Sequence, residues 1–221
     1  MMAEESCFHR DTFARIDPQK QQMLLDVAAQ EFAERGFAAA NINRIAETAG
    51  ISVGSIYKYF ESKTHLYLEV VNSGLSIIED ALEPILASEA PLDEKIDAIL
   101  DAIFVGARAF PLMNRLYNRF TSEGDSELAR QLAARLESTT AKAYEILLQQ
   151  GKRDGLIHSE VNTRVLAFCM DNVFLSLQFS LSAAYWQDRM EIYVGADMAK
   201  NEKALKEQLS LFLRQALGLR R

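Results

Sequence analysis

The chain has 221 residues, 49% of them apolar, with 24 Lys and Arg against 31 Asp and Glu, a formal charge of −7. This excludes a disordered chain and a protein that gathers polyanions by bulk charge. Four prolines and ten glycines are too few for the frequent turns of a β-sandwich, so an all-α fold is expected. Residues 1–70 carry 7 basic and 10 acidic side chains and residues 71–221 carry 17 and 21, so neither part is a basic domain. Any nucleic acid must be held by geometry and a few placed charges. Cys7 and Cys169 indicate neither a disulfide framework nor a metal site, and no cofactor is expected. The acidic start lacks a signal-peptide core and no run of 18 apolar residues occurs. A cytoplasmic location without a membrane partner is the expectation.

Residues 1–14 read as a flexible arm. Asp17 then Pro18 is a helix start, with Asp as N-cap and Pro at the first helical position. Leu24, Leu25, Val27, Ala28, Phe32 and Ala33 form a helical stripe that Gly36 stops. Asn41 or Asn43 can cap a short second helix, with Ile42, Ile45, Ala46 and Ala49 inward and Gly50 at its end. Ser52 caps a third, Val53–Phe60, and Ser62 a fourth, from Lys63 to about Ala81. Pro84 and Pro91 bracket a junction. Further helices are expected over 93–109, 112–120, 127–151, 160–185 and 198–217, with a polar turn at Gly124 and a hinge at Gly155. The sum is about nine helices. The expected division is an arm (1–14), a helix-turn-helix domain (15–70) and a larger helical domain (71–221).

Residues 39–63 carry the functional signal. Two short helices meet at Ala49-Gly50-Ile51-Ser52, where Gly50 takes a backbone shape closed to bulkier residues and Ile51 plugs the angle. Such a unit sets the start of its second helix in the DNA major groove. That start reads Ser52-Val53-Gly54-Ser55, small enough for the backbone to approach base edges. Val53 can meet a thymine methyl and Ser55 can bond a base edge or phosphate. Tyr57, Lys58 and Tyr59 reach towards phosphates; Tyr59 can equally be a core aromatic, and Phe60 reads as core. Lys63 and the free N–H groups of its helix start make an anion site, and Arg44 can touch the backbone from the other side.

This segment resembles the DNA-binding domain of the TetR/AcrR family of bacterial regulators. The resemblance runs over about residues 19–70, through Phe32-Ala33-Glu34-Arg35-Gly36-Phe37 and the unbroken stretch Ile45 to Lys63. It implies base reading by Val53, Gly54 and Ser55, phosphate contacts from Tyr57, Lys58 and Lys63, and a homodimer on a double-stranded, palindromic operator. The family's threonine at the start of the second helix falls on Asn41 or Asn43, so the contact from this point stays open. Ile51 and Ile56 replace Val and Leu at nearly constant volume.

By the same resemblance, the rest of the chain is a ligand-binding and dimerisation domain. Apolar residues nearly all round 161–185 predict a helix buried on most faces, and Leu205, Leu209, Phe212, Leu213 and Leu217 form one stripe on the last helix. Two such helices from each chain would make a four-helix dimer interface; a monomeric core is the plainer alternative. An apolar effector is expected, with Phe104, Met113, Leu116, Tyr117 and Phe120 as candidate linings. Leu147, Phe168, Phe174 and Phe179 extend that set. Arg108, Asp171, Asn172 and Gln178 could orient the ligand, although each also reads as a structural hydrogen-bonding residue.

The reading that results is a repressor released by its effector, with a ligand-dependent activator or a corepressor-dependent regulator as the variants. A helical protein-interaction module without DNA binding is the rival of another class, though it would not need the small residues at 52–55. An enzyme is disfavoured because His9, His65 and His158 are scattered and form no metal spacing or triad pattern.

Overall fold

The computed structural model describes residues 7–122 and 127–219, with side chains described except at 122–132 and 135. Among the described residues there are twelve helices: α1 (Asp11–Ala14), α2 (Pro18–Ala39), α3 (Ile42–Thr48), α4 (Val53–Tyr59), α5 (Lys63–Ala87) and α6 (Leu92–Ala109), followed by α7 (Pro111–Ser122), α8 (Glu127–Arg153), α9 (Thr163–Ser180), α10 (Ala184–Val194), α11 (Ala196–Lys200) and α12 (Glu202–Ala216). The chain divides into two compact units, the first holding Met1–Ile77 and Arg115–Asp125, the second Ile78–Asn114 and Ser126–Arg221.

The all-α expectation is met, with three helices more than the nine expected. The first extra is α1. The arm expected over 1–14 is packed from Phe8 onwards: Phe8 N donates to Glu69 at 3.1 Å, and Phe13 is 2% exposed with its ring 4.8 Å from that of Phe60. Residues 1–6 of that arm lie outside the described residues, as does the turn expected at Gly124.

The other two extras divide long runs. The helix expected over 160–185 starts at Thr163, because Asn162 caps it through Arg164 N at 3.0 Å and Val165 N at 3.3 Å. It stops at Ser180 and resumes as α10, with the hydroxyls of Ser180 and Ser182 taken by the carbonyls of Ser176 and Gln178. The last helix is divided at Asn201, whose side chain accepts from Ala204 N at 3.1 Å. Conversely, α5 runs through Pro84 to Ala87, since Pro84 still offers its carbonyl to Ser88 N at 3.1 Å. A proline removes one donor but not the acceptor that the next turn needs.

The core of the first unit is Phe13, Leu24, Ala28, Phe32, Ile45, Ile56, Phe60 and Leu66, all at 2% exposure or less. Burying each large member contributes about 1.5–3 kcal/mol. The core of the second unit joins Ile96, Leu100 and Phe104 of α6 to Tyr144 and Leu148 of α8, Met170 and Phe174 of α9, and Leu205 and Leu213 of α12. Gly151 lets α6 approach α8: a Cβ there would lie 2.5 Å from Leu92 Cδ2. Along α6 and α12, side chains pair in antiparallel order: Arg108 with Glu202, Lys206 with Asp101, and Arg214 with Asp93 and Asp97.

Candidate nucleic-acid interface

The turn between α3 and α4 is built by backbone geometry. Gly50 sits at φ +66°, Gly50 N donates to Glu47 O at 3.1 Å, and Ile51 N donates to Ala46 O at 3.0 Å. A residue with a Cβ would be strained there. The choice of cap for α3 falls to Asn41, whose side chain accepts from Asn43 N at 2.8 Å, while Asn43 is exposed. Asn41 N in turn donates to Glu31 Oε1 at 3.0 Å. Glu31 is buried and is also 3.4 Å from Arg35 and 3.6 Å from Arg44, so Arg44 is partly engaged within the unit.

At the start of α4, Ser52 Oγ accepts from Ser55 N at 3.0 Å and lies 2.9 Å from Ser55 Oγ. Ser52 and Gly54 are exposed, and Val53 and Ser55 half-buried. A Cβ on Gly54 would meet only Ser52 Oγ, at an ordinary 3.7 Å. Among the described residues, nothing requires glycine at 54. The helix-propensity cost of that glycine, about 1 kcal/mol, needs another explanation.

Further along α4, Tyr57 is 46% exposed and Lys58 is exposed. Tyr59 is half-buried, with its ring 5.7 Å from that of Phe13. Phe60 is fully buried, as expected. The start of α5 is capped by Ser62, whose Oγ accepts from His65 N at 3.3 Å. Lys63 differs from its expected free cation. Its Nζ donates to Ala38 O and Ala40 O, both at 3.1 Å, and lies 4.8 Å from the centre of the Phe37 ring. Both carbonyls lie at the C-terminal end of α2, and Lys63 keeps one of its three N–H groups to spare.

Sequence reasoning missed the segment that braces α4. Thr12 Oγ1 donates to Lys58 O at 2.6 Å and Arg10 N to Tyr59 O at 2.7 Å, closing the last carbonyls of α4. It also missed Glu31, whose one signal was an acidic residue beside the apolar stripe of α2.

The candidate effector residues divide. Phe104 and Phe174 are core residues of the second unit, Met113 is half-buried there, and Tyr117 and Phe120 fall in the first unit. Phe168 is 69% exposed and cannot line an interior in this chain, and Asn172 is exposed and donates to Phe168 O at 2.7 Å. The expectation that the helix around it is buried on most faces fails there, since Val165 is 60% exposed as well. Arg108 is engaged by Glu202. Gln178 Nε2 donates to Asn114 Oδ1 at 2.6 Å. Among the described residues, no group of three or more His, Cys, Asp or Glu could hold a metal, and no single helix is long and apolar enough to cross a membrane.

Residues 24–70 match the model of bacterial regulatory proteins of the tetR family. The chain is similar to the HTH-type transcriptional repressor KstR2 of Rhodococcus jostii (strain RHA1), with 26% identity over 71% of this chain and 77% of that protein. It is 27% identical to the HTH-type transcriptional activator FasR of Mycolicibacterium smegmatis, over 76% of this chain and 72% of the other. In fold it is similar to the fatty acid degradation regulator FadR of Bacillus halodurans, with a TM-score of 0.72 and 21% identity over 93% of this chain and 100% of that one. FadR of Bacillus subtilis in complex with stearoyl-CoA gives a TM-score of 0.72 at 16% identity, over 90% and 99% of the two chains.

Proposed function

Because this chain belongs to the TetR family of bacterial regulatory proteins, whose DNA-binding segment it carries at residues 24–70, we propose that it reads a palindromic operator as a homodimer and represses until a small apolar or amphipathic effector releases it. The carrying observation is the start of α4: Ser52 and Gly54 lie exposed on a helix end whose geometry is fixed by the Ser52 cap, and Gly54 meets no internal need for its missing side chain. Val53, Gly54 and Ser55 are the base-reading residues in this proposal. Tyr57, Lys58 and the spare N–H of Lys63 contact phosphates, and Asn43 and Arg44 touch the backbone from α3. Asn41 and Ser52 serve as caps, and Tyr59 supports α4 from the core side.

The dimer reading is supported by apolar side chains left uncovered on two helices of the second unit: Val165 and Phe168 on α9, Leu211 and Phe212 on α12. A twofold axis through such a patch buries it against itself and presents two heads to the two halves of a palindrome. The effector reading is supported by the apolar core between α6, α8 and α9. FadR of B. subtilis is in complex with stearoyl-CoA, a ligand with a long apolar chain, which makes such compounds the first to try. Activation is the second reading, favoured by the relative named as an activator.

Gel retardation with DNA from upstream of its own gene and with unrelated DNA of equal length tests the reading. Selective retardation that weakens steeply with salt is expected. Equal retardation of both, or of neither, would refute it.

A further inference from the structure

Arg10 stands in the segment ahead of α2, which is fixed to α4 and α5. Phe8 N donates to Glu69 Oε2 at 3.1 Å, Arg10 N to Tyr59 O at 2.7 Å and Thr12 Oγ1 to Lys58 O at 2.6 Å. The Phe13 ring is buried against that of Phe60. The Arg10 backbone is thus tied to the C-terminal end of α4, while its side chain is exposed. Its guanidinium has no hydrogen bond or ion pair among the described residues. Arg15, by contrast, lies 4.0 Å from Asp11, Arg35 and Arg44 share Glu31, and Arg119 donates to Glu34 O at 3.2 Å. The acids around Arg10 and the end of α4 have other partners as well. Glu69 accepts from Phe8 N and lies 4.0 Å from His9 Nε2, and Glu61 lies 3.8 Å from His65 Nε2.

The place of this free cation on α4 matters. The helix has seven residues, so its end lies about 10 Å from its start. A major groove is about 12 Å wide and has a phosphate strand on each rim. A helix that sets Ser52–Ser55 against base edges therefore carries its last carbonyls towards a rim, with Tyr57, Lys58 and the bonded Arg10 beside them. The planar fork of a guanidinium matches two phosphate oxygens. Residues 1–70 carry 7 basic against 10 acidic side chains, so each placed cation counts.

We propose that Arg10 contacts a DNA phosphate on the rim of the groove that α4 enters. The segment ahead of α2 then belongs to the DNA-binding surface, although it lies outside residues 24–70. This rests on reading α4 as the helix that enters the groove and adds a contact to it. Because the bond to α4 runs through the Arg10 backbone, replacing the side chain leaves the attachment of the segment intact.

The test uses the full chain, with Arg10→Ala and Arg10→Lys, in retardation titrations on DNA from upstream of its gene over a range of salt. Arg10→Ala should keep its urea midpoint and lose at least fivefold in affinity. A dimer gives up two contacts, so its plot of log affinity against log salt should become shallower by about 1.8. Arg10→Lys should keep the slope and lose less than threefold. In ethylation interference, one phosphate per half-site should hinder the unaltered protein and no longer hinder Arg10→Ala. Selective binding with undiminished affinity in Arg10→Ala would overturn this proposal alone. So would an unchanged salt slope, since a lost structural role lowers affinity without removing a phosphate contact. An unaltered protein that shows no DNA selectivity would overturn both this proposal and the reading beneath it.

Discussion

Both units cap helices with polar side chains, Asn162 and Asn201 doing so in the second, but among the described residues only the second leaves a buried side-chain amide short of a partner. In the first, Asn41, Ser52 and Ser62 cap helices and Lys63 holds two carbonyls, so the polar residues near the proposed DNA face mostly serve the backbone. In the second, Asn114 is buried one bond short and Asp171 is held away from its ordinary range. The lesson is that a polar residue satisfied within the fold reports structure, while one left unsatisfied points to a ligand. Gly54 is the first unit's counterpart, a glycine that its own fold does not require.

That contrast can be broken in several ways. The largest effect is expected from Phe60→Ala, which removes a fully buried ring from the first unit's core. It should cost about 3–5 kcal/mol, measured by urea unfolding, and abolish DNA binding with it. Gly54→Ala should instead leave Tm unchanged or slightly raised, yet weaken operator binding on the order of tenfold or more in a retardation titration. A fall in stability without a fall in DNA affinity would put Gly54 among the structural residues.

Asp171→Asn sharpens the other side. The folded state holds the Asp171 proton more tightly than the unfolded chain, whose carboxyl titrates near 3.8. Its contribution to stability is therefore fully present below about pH 4 and lost as pH rises towards about 6. The partly solvated carboxyl should give a decline of about 1–2 kcal/mol across that window, absent in the Asn variant and visible as a difference in Tm between pH 4 and pH 7. The smallest effect belongs to Ser52→Ala. Loss of the cap bond to Ser55 N should cost about 1 kcal/mol by urea unfolding.

What could be read from the sequence was whatever a few neighbouring residues decide. Gly50 at positive φ, the Ser52 cap and the Asp17-Pro18 start were all legible, because each follows from its own turn. What depends on distant chain was not. Lys63 finds its carbonyls 23 and 25 residues back, and Arg108 finds Glu202 94 residues on. The break between α9 and α10 carries neither glycine nor proline, so periodicity ran across it. On the proposed DNA face the small residues stood out at once, whereas the packing of Phe13 and the bonds from Arg10 and Thr12 to α4 left no local mark.

Hydroxyl-radical footprinting of the protein on DNA upstream of its gene is the most direct test of operator reading by paired α4 helices. Two protected patches related by a twofold axis should appear, about 34–36 Å or a multiple of that apart, and an insertion of about five base pairs, half a helical turn, between them should abolish tight binding. A single unpaired patch, or protection indifferent to the insertion, would contradict it.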